Sequence, residues 1–228
     1  MVAKRALLLL SLLIPAALAG PIHLGSGGTP LTGAVVEVEK LDGTRLTLKV
    51  GVDGTLVVRE VPLGILRVKV VSWKGVPVGY ECVVTPSNYS IDVPGIYRLT
   101  VVAVGARGQG LAAARVRVLY EGKVVEEGVT DESGSFSTLL PQADYSVVVE
   151  YGGRVGESRI ELREPIEVKV MLDVFAVVGG CPLSSAEFMG LIALVAILAL
   201  GLYLAAYEYS EWRRRRLLRP VARPTPSV

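Results

Sequence analysis

The sequence is poor in the residues that build catalytic and metal centres. It has one histidine (His23), two cysteines (Cys82 and Cys181) and one asparagine (Asn88). A serine–histidine–aspartate triad needs a histidine held by a carboxylate, and a zinc site needs about three or four histidine, cysteine or carboxylate ligands. The residues present supply neither. We therefore expect a protein that is not an enzyme and that carries no cofactor and no metal ion.

Two short patterns resemble ligand sites, but a flexible entry loop explains the first better and a turn explains the second better. The glycine-rich run Gly25–Gly28 is not followed by a helix or a lysine, so it lacks the features of a phosphate-binding loop. The run Asp131–Gly134 offers only a few oxygens, whereas calcium takes about six to eight ligands. Carboxylate pairs such as Glu126 and Glu127 fit solvated hairpin ends. We expect Asp131 and Gly134 to form a turn.

The net positive charge of the chain lies mainly at its C-terminal end. Between Gly20 and Ala186 there are 16 lysines and arginines against 19 aspartates and glutamates, and after Tyr207 there are six arginines and two glutamates. No basic stripe with interleaved aromatic residues runs through the acidic part, so nucleic-acid binding is not expected. The basic end is suited to anionic lipid headgroups, and the lipid bilayer is the first partner that the sequence predicts.

The chain contains one long hydrophobic run, Phe188–Tyr207, and the predicted topology of the other segments depends on it. Its twenty residues carry no charge, and as a helix they would cross the ~30 Å hydrocarbon core of a bilayer. Arginines that flank a span stay on the cytoplasmic side. We predict a single-pass cell-membrane protein with an extracellular N-terminus, a juxtamembrane hinge at 179–187, a transmembrane helix at 188–207 and a cytoplasmic basic tail at 208–228. The orienting arginines are Arg213, Arg214, Arg215, Arg216 and Arg219.

The N-terminus has the pattern of a secretory signal peptide, Met1–Ala19. Lys4 and Arg5 precede the apolar run Ala6–Ile14, and small residues lie at the cleavage positions before Gly20. An uncleaved anchor would need a longer apolar run. A pilin-type leader cleaved after Arg5 is a weaker alternative, because the chain has a second apolar segment at its other end.

The exported region alternates apolar and polar residues with a period of two. Ala34, Val36 and Val38 form one apolar face, and Leu66–Val70 repeats the pattern. Half-buried strands have this signature, and dipeptides such as Asp42-Gly43 mark turns between them. The pattern predicts an all-β fold of antiparallel sandwiches.

The alternation occurs twice along the chain. Five apolar or glycine positions of the first half recur 80 residues later, and four positions that begin at Pro62 recur 79 residues later. We therefore predict two tandem sandwich domains at 20–94 and 95–178. The first set pairs Leu31, Ala34, Val36, Val38 and Gly54 with Leu111, Ala114, Val116, Val118 and Gly134; the second pairs Pro62, Leu66, Val68 and Val70 with Pro141, Tyr145, Val147 and Val149.

Both repeats carry motifs of a known group of domains. The second has TDESGSF followed by LPQADYSVVV, and the first has GTPLTGAVVEV. The chain resembles the carboxypeptidase regulatory-like, or transthyretin-like, β-sandwich domains, with an Ig-like outline. The second repeat departs from the pattern at Gln109-Gly110 and at Ala143. The resemblance implies a sandwich fold and a non-catalytic appendage, because its motifs specify turns and core positions.

Three residues are candidates for modification or cross-linking. Asn88-Tyr89-Ser90 matches the N-glycosylation acceptor pattern on the exported side. For Cys82 and Cys181 three alternatives are open: a disulfide between them, a disulfide from Cys181 to a second copy, and two free thiols.

These observations predict a non-catalytic single-pass surface protein that displays two β-sandwich modules. Its structural, adhesive or binding role would involve an extracellular protein or glycan, and a homodimer is one possible assembly. The alternative is an accessory subunit of a larger membrane complex, such as a protease, a transporter or a secretion machine, assembled through the transmembrane helix. The few asparagine and glutamine residues, with abundant valine, glutamate and arginine, are typical of a hyperthermophile protein.

Overall fold

The alternating segments fold into β-strands. The computed structural model describes residues 21–59, 65–85 and 88–217; the predicted signal peptide, Met1–Ala19, lies outside them. The first half contains β1 (Ile22–Ser26), β2 (Thr29–Pro30), β3 (Val35–Lys40), β4 (Arg45–Lys49), β5 (Thr55–Leu56), β6 (Leu66–Trp73), β7 (Val76–Val84) and β8 (Ser90–Asp92). The second contains β9 (Ile96–Val104), β10 (Arg115–Tyr120), β11 (Lys123–Val129), β12 (Ser135–Pro141), β13 (Ala143–Tyr151), β14 (Arg154–Leu162) and β15 (Ile166–Met171).

The two halves have the same strand order. One four-stranded sheet runs β4-β3-β6-β7 and its counterpart runs β11-β10-β13-β14. In the second sheet of each half the first strand is central: β1 pairs with β5 and β8, and β9 pairs with β12 and β15. The predicted all-β fold with a duplicated unit is confirmed, since Val36 pairs with Val70 and Val116 pairs with Val149 at the same register.

Not every strand pair is antiparallel, as the alternation had suggested. β8 runs parallel to β1, and β15 runs parallel to β9. Each of these strands comes after the four-stranded sheet and returns to the sheet that holds the first strand of its half. A parallel neighbour requires such a long connection, and alternation of side chains carries no information about strand direction.

The apolar faces predicted from the sequence form the cores. Val36, Val38, Val116 and Val118 are fully buried, and the first core also contains Trp73. Apolar burial of this kind is worth ~25 cal/mol per Å². The side chain of Leu139, from β12 of the second half, packs against the core of the first half.

Gly54 and Gly134 lie at matching turns and have left-handed φ angles of 73° and 82°. A Cβ on Gly134 would lie 2.7 Å from the Leu111 nitrogen and 2.8 Å from the Ala103 oxygen, and a Cβ on Gly54 would lie 2.8 Å from the Leu24 oxygen. Only glycine combines this φ with so close an approach of backbone. The recurrence of this residue in the sequence therefore reflects a requirement of the fold.

A β-hairpin takes the place of the predicted flexible hinge at 179–187. β16 (Ala176–Val178) pairs with β17 (Cys181–Leu183), joined by Gly179 and Gly180 with φ angles of 59° and 84°. Two consecutive positive φ angles are typical of the tight type I′ turn, which Gly-Gly favours. The Gly-Gly pair therefore forms a hairpin turn, where the sequence had suggested an open linker.

The helix that follows, α1, runs from Ser185 to Leu217, and is longer at both ends than the predicted span 188–207. It continues without a break through the first part of the predicted tail. Its start is set by a capping box: the Ser184 nitrogen donates to Glu187 Oε2 (2.8 Å), and the Glu187 nitrogen donates to Ser184 Oγ (3.2 Å). Such reciprocal bonds satisfy two backbone donors of a helix's first turn.

The chain divides into two compact units that differ from the predicted domains. The first takes in both sandwich halves, up to Val104 and then Gly108–Leu172, and the second contains Gly105–Arg107 and the chain from Asp173 onward. The second unit thus includes the β16–β17 hairpin and α1. Within it, the Ala106 nitrogen donates to the Val174 oxygen at 2.9 Å.

Candidate binding surfaces and membrane anchor

The motif Asp131–Phe136 forms a closed turn, as predicted from its aspartate and glycine. Asp131 Oδ1 accepts hydrogen bonds from the nitrogens of Ser133 and Ser135, each at 2.9 Å, and from the Ser133 hydroxyl at 2.7 Å. These bonds lower the pKa of Asp131, and the bond from the Ser133 hydroxyl has the largest effect. In the first half Gly51 replaces this aspartate. The Gly51 nitrogen donates to the Thr55 oxygen, as the Asp131 nitrogen donates to the Ser135 oxygen, and this backbone bond closes the turn in both halves.

Within the described residues, this turn does not bring together a cluster of metal-ligating side chains. Across the described ranges, no group of three or more histidine, cysteine, aspartate or glutamate side chains is placed to hold a metal ion. The Asp131 carboxylate is instead engaged by its own turn. Its role in the described structure is conformational.

The aromatic residue that ends the same motif, on β12, covers a glycine on β11, an edge strand of the other sheet of this half. A Cβ on Gly128 of β11 would lie 2.1 Å from Cε2 of Phe136. An aromatic ring over a strand glycine replaces the side-chain contacts that glycine cannot make. Phe136 and Gly128 therefore fix how β11 approaches β12.

The tyrosine of the LPQADY motif, Tyr145, is hydrogen-bonded to the backbone of the proline of the same motif, Pro141. Its hydroxyl donates to the Pro141 oxygen at 2.7 Å, and the side chain is 2% exposed. A tyrosine that bonds to backbone a few residues upstream is a known corner device of β-sandwiches. Burial raises the pKa of Tyr145 well above its ordinary value, and the charge of Tyr120 makes a smaller contribution in the same direction.

The outer face of the sheet β4-β3-β6-β7 presents alternating charges. Glu39 accepts from Arg45 at 3.3 Å and lies 3.9 Å from Arg67, which also pairs with Glu81 at 3.4 Å. The three pairs are solvent-exposed, and exposed ion pairs contribute less than about 1 kcal/mol each. This face is therefore a hydrophilic surface rather than a source of stability.

The outer face of the sheet β11-β10-β13-β14 contains a groove of about 880 Å³. Leu119 and Val148 give it an apolar floor, and Asp144 and Arg159 lie beside them. An apolar floor with a few polar groups at the edge is a common form of binding site. We take this groove as the candidate contact surface of the second half.

The two halves are joined by a partly buried cation. The Lys74 ammonium, in the β6–β7 turn, donates to Glu126, to Thr138 Oγ1 (3.1 Å) and to the Leu139 oxygen (3.2 Å). It also lies 4.9 Å from the centroid of the Trp73 ring. Multiple partners satisfy a partly buried ammonium, which would otherwise be costly to desolvate.

Asn88, the candidate glycosylation site, is exposed at an isolated bridge with Thr85. Its Oδ1 accepts from the Ser90 nitrogen at 3.2 Å, which is an Asx turn within the acceptor triplet. The structure places the asparagine at the surface. Its modification remains a prediction.

Both candidate cysteines are free thiols in the structure. Cys82 lies on β7 and packs partly against the first core. Its burial raises the pKa of the thiol, and the negative charge of Glu81 raises it further. Cys181 is exposed on β17. A disulfide from Cys181 to a second copy stays an untested prediction.

The helix α1 carries the candidate membrane anchor. By length and composition its segment Ser185–Arg215 can cross a bilayer, and it is the one such helix in the described part of the chain. Arg213, Arg214 and Arg215 lie on its last turns, where Arg214 is 4.0 Å from Glu211. Arg216 is also helical, and Arg219 lies outside the described residues. The side of the membrane on which these arginines lie is a proposal.

Three important residues were not identified from the sequence. Lys74 is one of many surface-type lysines, and nothing local indicates its partners on β11 and β12. Gly128 shows no signal until Phe136 is placed over it. Ser184, in contrast, begins a Ser-x-x-Glu pattern directly before an apolar run, which is a readable helix-start signal.

Comparison with known proteins identifies no family: no family model and no curated protein matches the chain. Among solved structures it is similar to the Bacillus anthracis TIE protein, with 21% identity over 66% of this chain and 32% of that one and a TM-score of 0.31. It is also similar to GBS52, the minor pilin of Streptococcus agalactiae, with 16% identity over 63% and 84% and a TM-score of 0.30. Klebsiella pneumoniae 5-hydroxyisourate hydrolase matches with 17% identity over 33% and 86% and a TM-score of 0.26.

The chain spans about a third of the TIE protein. At these identities and scores the likenesses carry no functional argument, and the proposals below are drawn from the residues of this chain.

Proposed function

We propose that this chain is a non-catalytic, membrane-anchored surface protein that holds two joined β-sandwiches outside the cell for contact with a protein or a glycan. The observation that carries the proposal is α1, whose segment Ser185–Arg215 is long and apolar enough to cross a bilayer. The chain before it is a β-structure with an acidic balance, and the chain after Tyr207 is rich in arginine. This asymmetry favours a cytoplasmic C-terminus.

The joint between the sandwiches supports a role in display. Lys74 and Leu139 link the halves, one through hydrogen bonds and the other through the first core. Connections of this kind resist bending between the halves, so a ligand would meet the outer faces in a constant arrangement. A flexible string of two domains would lose more entropy on binding.

The outer sheet faces supply the proposed contact surfaces. The charged face around Glu39 and Arg67 is suited to hydrogen bonding with polar partners. The groove over Leu119 and Val148 offers apolar area beside carboxylates and Arg159. A mixed surface of this type suits a protein loop or the apolar face of a sugar ring better than a strongly charged polymer.

Orientation is tested with a membrane-impermeant maleimide on intact cells. Val155 is 63% exposed on β14, so a protein with Cys82→Ala, Cys181→Ala and Val155→Cys should be labelled from outside without permeabilisation. The matched protein carries Cys82→Ala, Cys181→Ala and Ser227→Cys, and should be labelled only after permeabilisation. The opposite pattern of labelling would reverse the proposed topology.

The display role is tested by crosslinking in intact cells with two proteins, the natural chain and one in which residues 188–207 are replaced by an unrelated apolar sequence. A display protein should keep the same extracellular crosslinked partners with either span. If the partners are integral membrane proteins and are lost when the span is replaced, the chain is an accessory subunit and the display proposal is wrong.

A further inference from the structure

The chain next to α1 is unusual for an exposed β-hairpin because it carries no charge. From Val174 to Ala186 there is no lysine, arginine, aspartate or glutamate. Val177 is 47% exposed and Val178 is 49% exposed. Neighbouring residues of a strand point to opposite faces, so both faces of the hairpin present apolar side chains.

Hydrogen bonds and ring contacts tie the hairpin to the start of the helix. The Phe175 nitrogen donates to the Leu183 oxygen at 2.8 Å, directly beneath the paired strands. The Phe175 ring lies 5.1 Å from the Phe188 ring on the first turn of α1. Phe188 is also the first residue of the uncharged run. The hairpin therefore ends where the membrane-spanning segment begins.

A two-stranded hairpin is marginal in water without a covering surface. β16 pairs only with β17 among the described strands, and its valines gain from leaving water. The outer edges of such a hairpin keep unpaired backbone groups, which cannot enter the hydrocarbon core. The interface of the bilayer, with its lipid headgroups and the first methylene groups of the acyl chains, would cover the valines. Its water and headgroups would also supply hydrogen bonds to the unpaired backbone groups.

A cation lies beside the same aromatic pair. The guanidinium of Arg107, in the loop that belongs to this unit, is 5.4 Å from the centroid of the Phe175 ring. Arginine at a lipid interface places its stem against apolar groups and its charge among phosphates. Phe175 and Arg107 therefore fit a position at the lipid–water interface, the same depth in the bilayer at which the hairpin would lie.

We propose that the hairpin, residues 176–183, is a second membrane contact that lies in the outer leaflet at headgroup level, next to the start of α1. The occupant of its exposed apolar faces is the lipid surface. The inference rests on the proposed function, since it requires α1 to cross the bilayer. It adds that the protein meets lipid through two elements, which would limit the rotation of α1 about its own axis.

The test places a nitroxide spin label on Cys181 of the full-length Cys82→Ala protein in nanodiscs of phosphatidylcholine and phosphatidylglycerol. Collision rates with oxygen, which concentrates in lipid, are compared with those of a polar nickel chelate, which stays in water. The expected result is an oxygen-to-nickel ratio several-fold above that of a label at Val155→Cys, an exposed β14 position, in a Cys82→Ala, Cys181→Ala background. Equal ratios at the two positions would overturn the proposal.

Two further labels separate the possible failures. A label at Ala196→Cys, in the middle of α1, should report lipid at depth; if it reports water, the membrane anchor itself is wrong. With Ala196 in lipid and Cys181 in water, only the hairpin proposal fails. Spin–spin broadening at Cys181 that disappears on dilution with unlabelled protein would show that a second copy covers the hairpin, which also overturns the proposal.

A paired substitution tests the cause. Val177→Asn with Val178→Asn should lower the oxygen-to-nickel ratio at Cys181 several-fold and leave the ratio at Ala196→Cys unchanged. Val52→Asn, on an exposed turn of the first sandwich, should change neither ratio. If the ratio at Cys181 survives the double substitution, the valines do not hold the hairpin in lipid and the proposal is wrong.

Discussion

The Lys74 ammonium donates to the Glu126 carboxylate between the two sandwiches, and the two side chains are only 26% and 25% exposed. Glu126→Gln removes the charge that compensates Lys74 and keeps the shape. Losing one partner of a fully buried pair costs about 3–5 kcal/mol; with a quarter of each side chain exposed, we expect about 1–2 kcal/mol. Chemical unfolding of the full-length protein in detergent, followed by tryptophan fluorescence, measures the loss.

Glu127→Gln is the matched control for that variant. It removes the same charge one residue further on, where Glu127 lies 3.5 Å from Arg115 and both side chains are more than half exposed. An exposed pair of this kind should contribute less than about 1 kcal/mol. Equal losses for Glu126→Gln and Glu127→Gln would mean that the joint between the halves adds nothing to stability.

Ala113→Gly should stabilise the protein. Ala113 has a φ of 58°, and the matching position of the first half is Gly33, with a φ of 76°. A left-handed non-glycine residue costs about 1–2 kcal/mol, so the substitution should raise the free energy of unfolding by about 1 kcal/mol. Thermal and urea unfolding of the full-length protein measure the change.

The reverse substitution in the other half checks the cause. A Cβ on Gly33 would meet no atom within 4 Å, so Gly33→Ala introduces backbone strain without a clash. It should lower the free energy of unfolding by about 1 kcal/mol. If both substitutions shift stability in the same direction, backbone strain is not the cause.

Much of the sandwich fold could be predicted because its signals are local and occur twice. The alternation at Val36 and Val38, and again at Val116 and Val118, identified the buried faces of β3 and β10. Gly54 and Gly134 identified the same turn in both halves, since only glycine satisfies its φ and its close contacts. Local pattern and repeat spacing were sufficient for these elements.

Other features depend on partners that are distant in sequence. The parallel pairing of β8 with β1 and of β15 with β9 brings together strands separated by a whole half. The contacts of Lys74 with Glu126 and Thr138 span 52 and 64 residues. The β16–β17 hairpin was missed for another reason: its strands are three residues long and contain a proline, so alternation could not be seen.

Tyr145→Phe should change the dependence of stability on alkaline pH. Burial raises the pKa of Tyr145 in the folded state above its unfolded value of 10.0. Above about pH 10 the unfolded chain therefore releases a proton that the folded state retains, and the free energy of unfolding falls as pH rises. Phenylalanine lacks this proton, so its curve should fall less steeply above pH 10.

At neutral pH the same variant should be less stable, because the Pro141 oxygen loses its bond from the Tyr145 hydroxyl. A lost intramolecular hydrogen bond of this type costs about 0.5–1.5 kcal/mol. Urea unfolding of the two proteins between pH 7 and the alkaline limit gives both effects in one series. Parallel curves over the whole range would show that Tyr145 does not carry the alkaline sensitivity.

Glycosylation of Asn88 is tested by intact mass after expression in a host that N-glycosylates exported proteins. Asn88 is exposed, and its Oδ1 accepts from the Ser90 nitrogen at 3.2 Å, so the Asx turn holds the carbonyl oxygen and directs the amide nitrogen away from that bond. We expect the natural chain to carry an added glycan mass. Asn88→Gln should remove it, because the chain has no other asparagine.

Two substitutions at Ser90 separate glycosylation from an indirect effect of the change at Asn88. Ser90→Ala removes the hydroxyl that the acceptor pattern requires and should abolish the added mass, whereas Ser90→Thr keeps the pattern and should preserve it. A glycan that persists in Ser90→Ala would be attached at another residue. An unmodified natural chain in that host would contradict glycosylation at Asn88. An unmodified chain whose Val155→Cys variant is also unlabelled from outside would contradict its export.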